Sequence, residues 1–132
     1  MQALDFSILL HDDAPQMLAH GLALMLELTG LAWLLAMGLG TVLALVRMTR
    51  NKVAEAAVGA WVEYHQNVPM LVQVFLWYFG IATLLPTGLQ QWLNRHGGEF
   101  TFATVAIGLA TSAYMSEGLR GGIRAIPGSQ IE

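Results

Sequence analysis

Charge-free stretches and short polar interruptions alternate along the chain. From Leu28 to Val46 no charged residue occurs. At about 1.5 Å per residue this run reaches about 28 Å, close to the thickness of a bilayer's hydrocarbon core. The pattern predicts a first spanning helix that begins near Met17 and places Glu27 at the outer boundary. There a charge avoids most of the roughly 2.5–3.5 kcal/mol it would cost at mid-bilayer. Ala32, Ala36, Gly40 and Ala44 recur every fourth residue. They lay a stripe of small side chains along one side, against which another helix backbone can approach closely.

After Arg47, Arg50 and Lys52 the period changes. Over Val53 to Gln66, one helical face collects Ala56, Ala57, Ala60, Trp61 and Tyr64, and the other collects Lys52, Glu55, Gly59, Glu63 and Gln66. This predicts a helix lying at the membrane interface or packed half-buried. Pro69 cannot donate a backbone hydrogen bond and disfavours helix at Val68, so a break is expected at Asn67 to Pro69. A second apolar run, Met70 to Leu85, follows and is closed by Pro86. Thr87 to Glu99 is polar and glycine-marked and reads as an external loop, with Gly97 and Gly98 as its turn and Trp92 near the headgroups. Phe100 to Ser116 is the third run, about 26 Å long, with Ala106, Ala110 and Ala113 as a second stripe of small residues. The tail after Glu117 is rich in glycine and arginine. Gly121 and Gly122 allow turns that other residues resist, and Pro127 cannot continue a helix, so the tail reads as an elbow.

Composition agrees with lipid as the solvent. Of 132 residues, 55% are hydrophobic and 11% charged, with a mean hydropathy of +0.55, whereas soluble domains are about a quarter charged. The net charge of -3 offers no clustered basic surface for nucleic acid. The chain has no cysteine, so neither a disulfide framework nor a thiolate metal site can form. Five of the six Lys and Arg residues (Arg47, Arg50, Lys52, Arg120 and Arg124) flank the first and third runs at the same end, with Arg95 alone at the other. By the positive-inside rule the N-terminus is external, and the Arg47 to Lys52 connection and the tail are cytoplasmic.

Candidate chemistry is sparse. The histidines His11, His20, His65 and His96 are scattered without a carboxylate at ligand spacing, Gly118, Gly121 and Gly122 do not form a phosphate cradle, and no enzymatic constellation or metal site is read. Polar groups inside apolar runs are the better lead, because hydrocarbon offers them no partner. Gln73 in the second run and Thr111, Ser112 and Glu117 in or beside the third are the candidates for a translocation pathway. Gln73 can equally join two helices, Thr111 and Ser112 can bond their own helix backbone, and Glu117 can pair with Arg120 or Arg124.

Two stretches resemble a known family, the polar amino-acid ABC importer permeases of the histidine, glutamine, arginine and glutamate type. WVEYHQNVPMLVQVFLWYFG, Trp61 to Gly80, carries Val62, Glu63, Asn67, Pro69, Leu71, Val72, Gln73, Tyr78, Phe79 and Gly80 in the family's pattern. AYMSEGLRGGIRAIPGSQIE, Ala113 to Glu132, resembles the approach to the cytoplasmic coupling loop through Ala113, Tyr114, Glu117, Arg120, Gly121, Gly122, Ile123, Pro127, Gln130 and Glu132. Gly21-Leu22 and Leu26-Glu27-Leu28-Thr29 match the start of the family's first helix. Gln66 and Gly128-Ser129 depart from it, standing where basic residues are usual.

The resemblance implies an all-α membrane protein with three transmembrane helices and an interfacial helix, like the first part of a type I ABC importer permease. It implies one domain, residues 1–132, ending before the coupling helix and the last two spans. Function would be that of a non-enzymatic permease subunit, multi-pass in the bacterial inner membrane, for polar amino acids and possibly glutamate or aspartate. The implied partners are a second permease copy or paralogue, an extracytoplasmic amino-acid-binding protein and ABC ATPase subunits, which bind the ATP, so no cofactor is held here. Arg120, Gly121, Gly122, Pro127, Gln130 and Glu132 would serve ATPase coupling, and Asn67 and Pro69 a hinge. The alternatives are an inert truncation product and a small membrane assembly or regulatory protein.

Overall fold

The computed structural model describes residues 13–49 and 51–126. Within them the chain forms five helices: α1 (Ala14–Met48), α2 (Lys52–Asn67), α3 (Met70–Leu84), α4 (Thr87–Arg95) and α5 (Gly98–Arg124). The stretch Leu76–Ile81 inside α3 is wound as a π-helix, a geometry often found at functional sites. Asn51 starts α2 by accepting hydrogen bonds on its side-chain oxygen from the amides of Val53 at 3.0 Å and Ala54 at 3.3 Å, which satisfies two otherwise orphaned donors.

The centre is the pairing of α1 with α5. Ala32, Ala36, Gly40 and Ala44 are all buried, and the second stripe, Ala106, Ala110 and Ala113, is wholly inaccessible. A Cβ added at Gly40 would lie 2.7 Å from the Cβ of Met115 and 3.1 Å from the carbonyl oxygen of Ser112. One added at Gly108 would lie 2.6–3.0 Å from the side chain of Leu35. Each helix therefore has a glycine where the other needs room, and van der Waals contact between closely approaching backbones holds the pair.

The interior is mostly small apolar residues with a few polar ones, and the large apolar side chains face outward. The largest fully buried side chains are Gln73, Ser112 and Ser116, while Leu26, Trp33, Leu34, Leu45, Leu71, Phe79 and Leu84 are exposed. In water so much contiguous apolar surface would aggregate. In lipid the arrangement is the expected one, since polar groups must be satisfied within the protein. Among the described residues α1 alone is long and apolar enough to cross a membrane, and the α2 to α3 pair passes the same test if its bend of 105° is counted within one span.

Four sequence expectations change. The Thr87 to Glu99 segment is not an open loop: α4 occupies Thr87–Arg95. The turn follows it, with Gly97 at a φ of +80° that a side chain would strain and Gly98 packed against the carbonyl of Leu93. No turn forms at Gly121 and Gly122, because α5 runs on through both to Arg124, and the part of the expected elbow from Pro127 onward lies outside the described residues. Glycine permits a turn without requiring one, and continuing the helix keeps the backbone bonded. The buried residues of α2 are Val58, Val62 and His65, with Val58 and Val62 set against Ala113, Leu43 and Val46; of the face read from the period, Trp61 joins that packing while Ala56, Ala57, Ala60 and Tyr64 are exposed. Finally, α1 starts at Ala14, ahead of Met17, with Pro15 in its first turn, where the missing amide costs nothing.

Candidate functional site

The candidate residues fall in three places. Gln73 sits at the elbow between α2 and α3. Val68 and Pro69 break the helix there, leaving the last carbonyls of α2 without amide partners. Gln73 is nearly inaccessible, and its Nε2 donates to the carbonyls of His65 at 3.0 Å and Val68 at 2.7 Å. The amide is thus spent on holding the bend. The hinge candidates Asn67 and Pro69 are exposed on the outside of the same elbow.

Thr111 and Ser112 are adjacent on α5 and point different ways. Ser112 is wholly buried, its Oγ donates to the Leu109 carbonyl at 2.6 Å, and its own carbonyl faces Gly40. Ser116, one turn on, bonds the Ala113 carbonyl at 2.8 Å in the same way. These hydroxyls satisfy themselves on their own helix and let α1 approach. Thr111 lines a shallow apolar cavity with Leu28, Thr29, Ala32, Trp33 and Ile107.

Glu117 gathers the charges. Its Oε1 pairs with Arg47 at the end of α1, and its Oε2 accepts from Arg120 Nη2 at 3.0 Å. Arg120 was an expected partner, Arg124 is not bonded to Glu117, and Arg47 comes from seventy residues away. Arg120, Gly121 and Gly122 of the coupling region are helical, with both glycines exposed. Pro127, Gln130 and Glu132 lie outside the described residues, as do Arg50 and His11.

Sequence reasoning missed three contributors. Gln90 makes, at the break before α4, the bonds Gln73 makes before α3: its Nε2 donates to the carbonyls of Thr83 at 3.2 Å and Leu85 at 2.7 Å. The signal was available, since Pro69 to Gln73 and Pro86 to Gln90 share the spacing Pro-x-x-x-Gln. His65, buried with Nδ1 2.9 Å from the Trp61 carbonyl, packs tilted against the Trp61 ring and meets Tyr64 edge-on. Trp61, Tyr64 and His65 face Leu76, Trp77 and Ile81 of the π-wound stretch across an apolar cavity of about 440 Å³. At the opposite end of α5, Tyr78 approaches Glu99 at 3.4 Å, beside a cavity of about 290 Å³ lined by Tyr78, Thr83, Gln90 and Asn94.

No protein-family model matches the chain. Relatives by sequence are permeases. The chain is 30% identical over 114 residues to a glutamate/aspartate import permease protein of Escherichia coli, covering 83% of this chain and 46% of that protein. It is 35% identical over 94 residues to a probable glutamine ABC transporter permease protein of Bacillus subtilis, covering 71% of this chain and 39% of that one. An arginine transport system permease protein of the same species is 30% identical over 131 residues, 98% of this chain and 54% of its own length. A crystal structure of an amino acid ABC transporter with histidines matches with a TM-score of 0.65 at 26% identity, covering 91% of this chain and 55% of that one. The chain thus spans about half the length of the relatives it matches.

Proposed function

We propose, for a chain that is a relative of the polar amino-acid ABC importer permeases in sequence and fold, that it forms part of the permease subunit of such an importer. The observation that carries this reading is the shared architecture. Over 91% of its length the chain follows the fold of an amino-acid ABC transporter, and the elbow between α2 and α3 falls within the stretch that carries one of the family's motifs. The polar side chains Gln73, Ser112 and Ser116 inside, with leucines outside, support a membrane setting. The Lys and Arg asymmetry supports an external N-terminus, three spans (α1, α3 and α5) and an inner-membrane location.

In this reading no chemistry is catalysed by the chain. Transport energy enters through ABC ATPase subunits docked on the cytoplasmic loops, an extracytoplasmic binding protein delivers the amino acid, and a second permease copy or paralogue completes the path. Glutamate or aspartate is the substrate favoured by the Escherichia coli relative. The cavity at Tyr78, Thr83, Gln90 and Asn94, at the external end, is the place where a polar amino acid would first meet this chain.

The test is reconstitution. Vesicles holding the permease alone are expected to take up no amino acid. With an ABC ATPase, a binding protein and a partner permease supplied, ATP-dependent uptake of radiolabelled glutamate or aspartate should appear. Uptake that does not depend on ATP, or the absence of any polar amino-acid uptake with all components present, would overturn the reading.

A further inference from the structure

Where α1 and α5 end side by side, three arginines surround one cavity of about 240 Å³. Arg47, Arg120 and Arg124 line it together with Met48 and Ile123. Glu117 is shared between Arg47 and Arg120, and Arg124 has no ion-pair partner among the described residues. Arg47 is also incompletely used, since its Nε is buried without a hydrogen-bond partner. The other carboxylate within Coulombic reach of Arg47 is Glu55 of α2, which is exposed and therefore screened by solvent. The negative ends of α1 and α5 amount to about half a charge each, which leaves the lining positive after Glu117 is subtracted from the three guanidiniums.

Such a cavity suits a phosphate group, which guanidinium forks bind bidentately. The walls add a second requirement. Met48 and Ile123 are apolar and exposed, and one turn deeper are the exposed Leu45 on α1 and the half-buried Leu119 on α5. A phosphate carrying acyl chains satisfies both parts at once, with its headgroup in the arginine cavity and its chains along the lipid-facing side of the pair. Basic pockets between spanning helices at the cytoplasmic level bind anionic lipid headgroups for this reason. We infer that Arg47, Arg120 and Arg124 form a binding site for the phosphodiester of an anionic phospholipid, which seals the junction between α1 and α5. The inference rests on the membrane reading above and involves no transport step.

Native mass spectrometry of the full chain in neutral detergent, titrated with short-chain lipids, tests it. Dioctanoyl phosphatidylglycerol should bind at one site, and dioctanoyl phosphatidylcholine, which has the same phosphate but no net charge, should bind at least about fivefold more weakly. Arg124→Gln, which leaves the Glu117 pairs intact, should weaken phosphatidylglycerol binding about fivefold, whereas Arg95→Gln, the same charge change at the opposite end, should not. Equal binding of the two lipids, or equal loss in the two variants, would overturn the site. Inorganic phosphate binding as tightly as phosphatidylglycerol would overturn the lipid as its occupant. Failure here with successful amino-acid uptake would leave the permease reading standing.

Discussion

Gln73 and Gln90 make the same connection at two different breaks. Each lies four residues beyond a proline, Pro69 or Pro86, and turns its amide back to donate to two carbonyls at the end of the preceding helix. A proline removes an amide and opens the chain. In a medium without water the carbonyls left behind need another donor. The chain supplies a glutamine amide both times, so at each break two backbone carbonyls keep a donor.

Replacing either glutamine by leucine should therefore cost stability rather than act only on transport. Gln73→Leu is expected to lower unfolding stability in detergent by about 1–3 kcal/mol, the cost of leaving a buried acceptor unpaired. Gln90→Leu should cost less, because Gln90 is only half-buried. Unfolding curves followed by circular dichroism measure both. No loss in Gln73→Leu would return the residue to a pathway role.

At the α1 to α5 contact the prediction concerns volume. Gly40→Ala pushes a methyl group to 2.7 Å from the Met115 Cβ, while Gly38 has nothing within 4 Å of the same addition. Gly40→Ala should destabilise by about 1–3 kcal/mol as an overpacked site, and Gly38→Ala should be neutral or slightly stabilising. Gly108→Ala should be rescued in part by Leu35→Ala, because the clash is with the Leu35 side chain. Additive losses in that double variant would show that the two helices do not meet there.

The Arg47 to Glu117 pair joins helices distant in sequence and is mostly shielded, with side-chain exposures of 13% and 31%. Its coupling should exceed the roughly 0.2–1 kcal/mol of surface pairs. It should stay below the roughly 3–5 kcal/mol lost when a fully buried pair is broken. A double-mutant cycle of Arg47→Gln and Glu117→Gln, read by thermal unfolding in detergent, measures it. Strict additivity would mean that the two groups do not interact in the folded protein.

For topology, the chain's lack of cysteine makes labelling direct. Single cysteines at Gln91 and Lys52, both exposed, should react with an impermeant thiol reagent from opposite sides of the membrane. Labelling of both from one side would invert or shorten the proposed span arrangement.

Much of the fold could be read along the chain because the bilayer imposes simple rules. A charge-free run of hydrocarbon length marks α1, a four-residue spacing of small residues marks the faces along which α1 and α5 meet, and a proline marks the elbow after α2. Those readings depend only on neighbours in sequence and on the solvent. What the segment before α5 does was not legible: Thr87 to Glu99 is polar and marked by glycines at both ends, yet Thr87–Arg95 forms α4, with Gln90 securing its start from the Thr83 and Leu85 carbonyls. The same limit applies at Gly121 and Gly122, where glycine leaves both outcomes open and α5 continues.

The candidate polar residues divide in the same manner. Sequence alone determined that Gln73, Ser112 and Glu117 must find partners, because hydrocarbon provides none. Only the tertiary structure decided which partners: the carbonyls of His65 and Val68 for Gln73, the Leu109 carbonyl for Ser112, and Arg47 across the helix pair for Glu117. The need for a partner belongs to the residue and its solvent, whereas the partner's identity depends on which helix faces lie within hydrogen-bond reach once α1, α3 and α5 have packed.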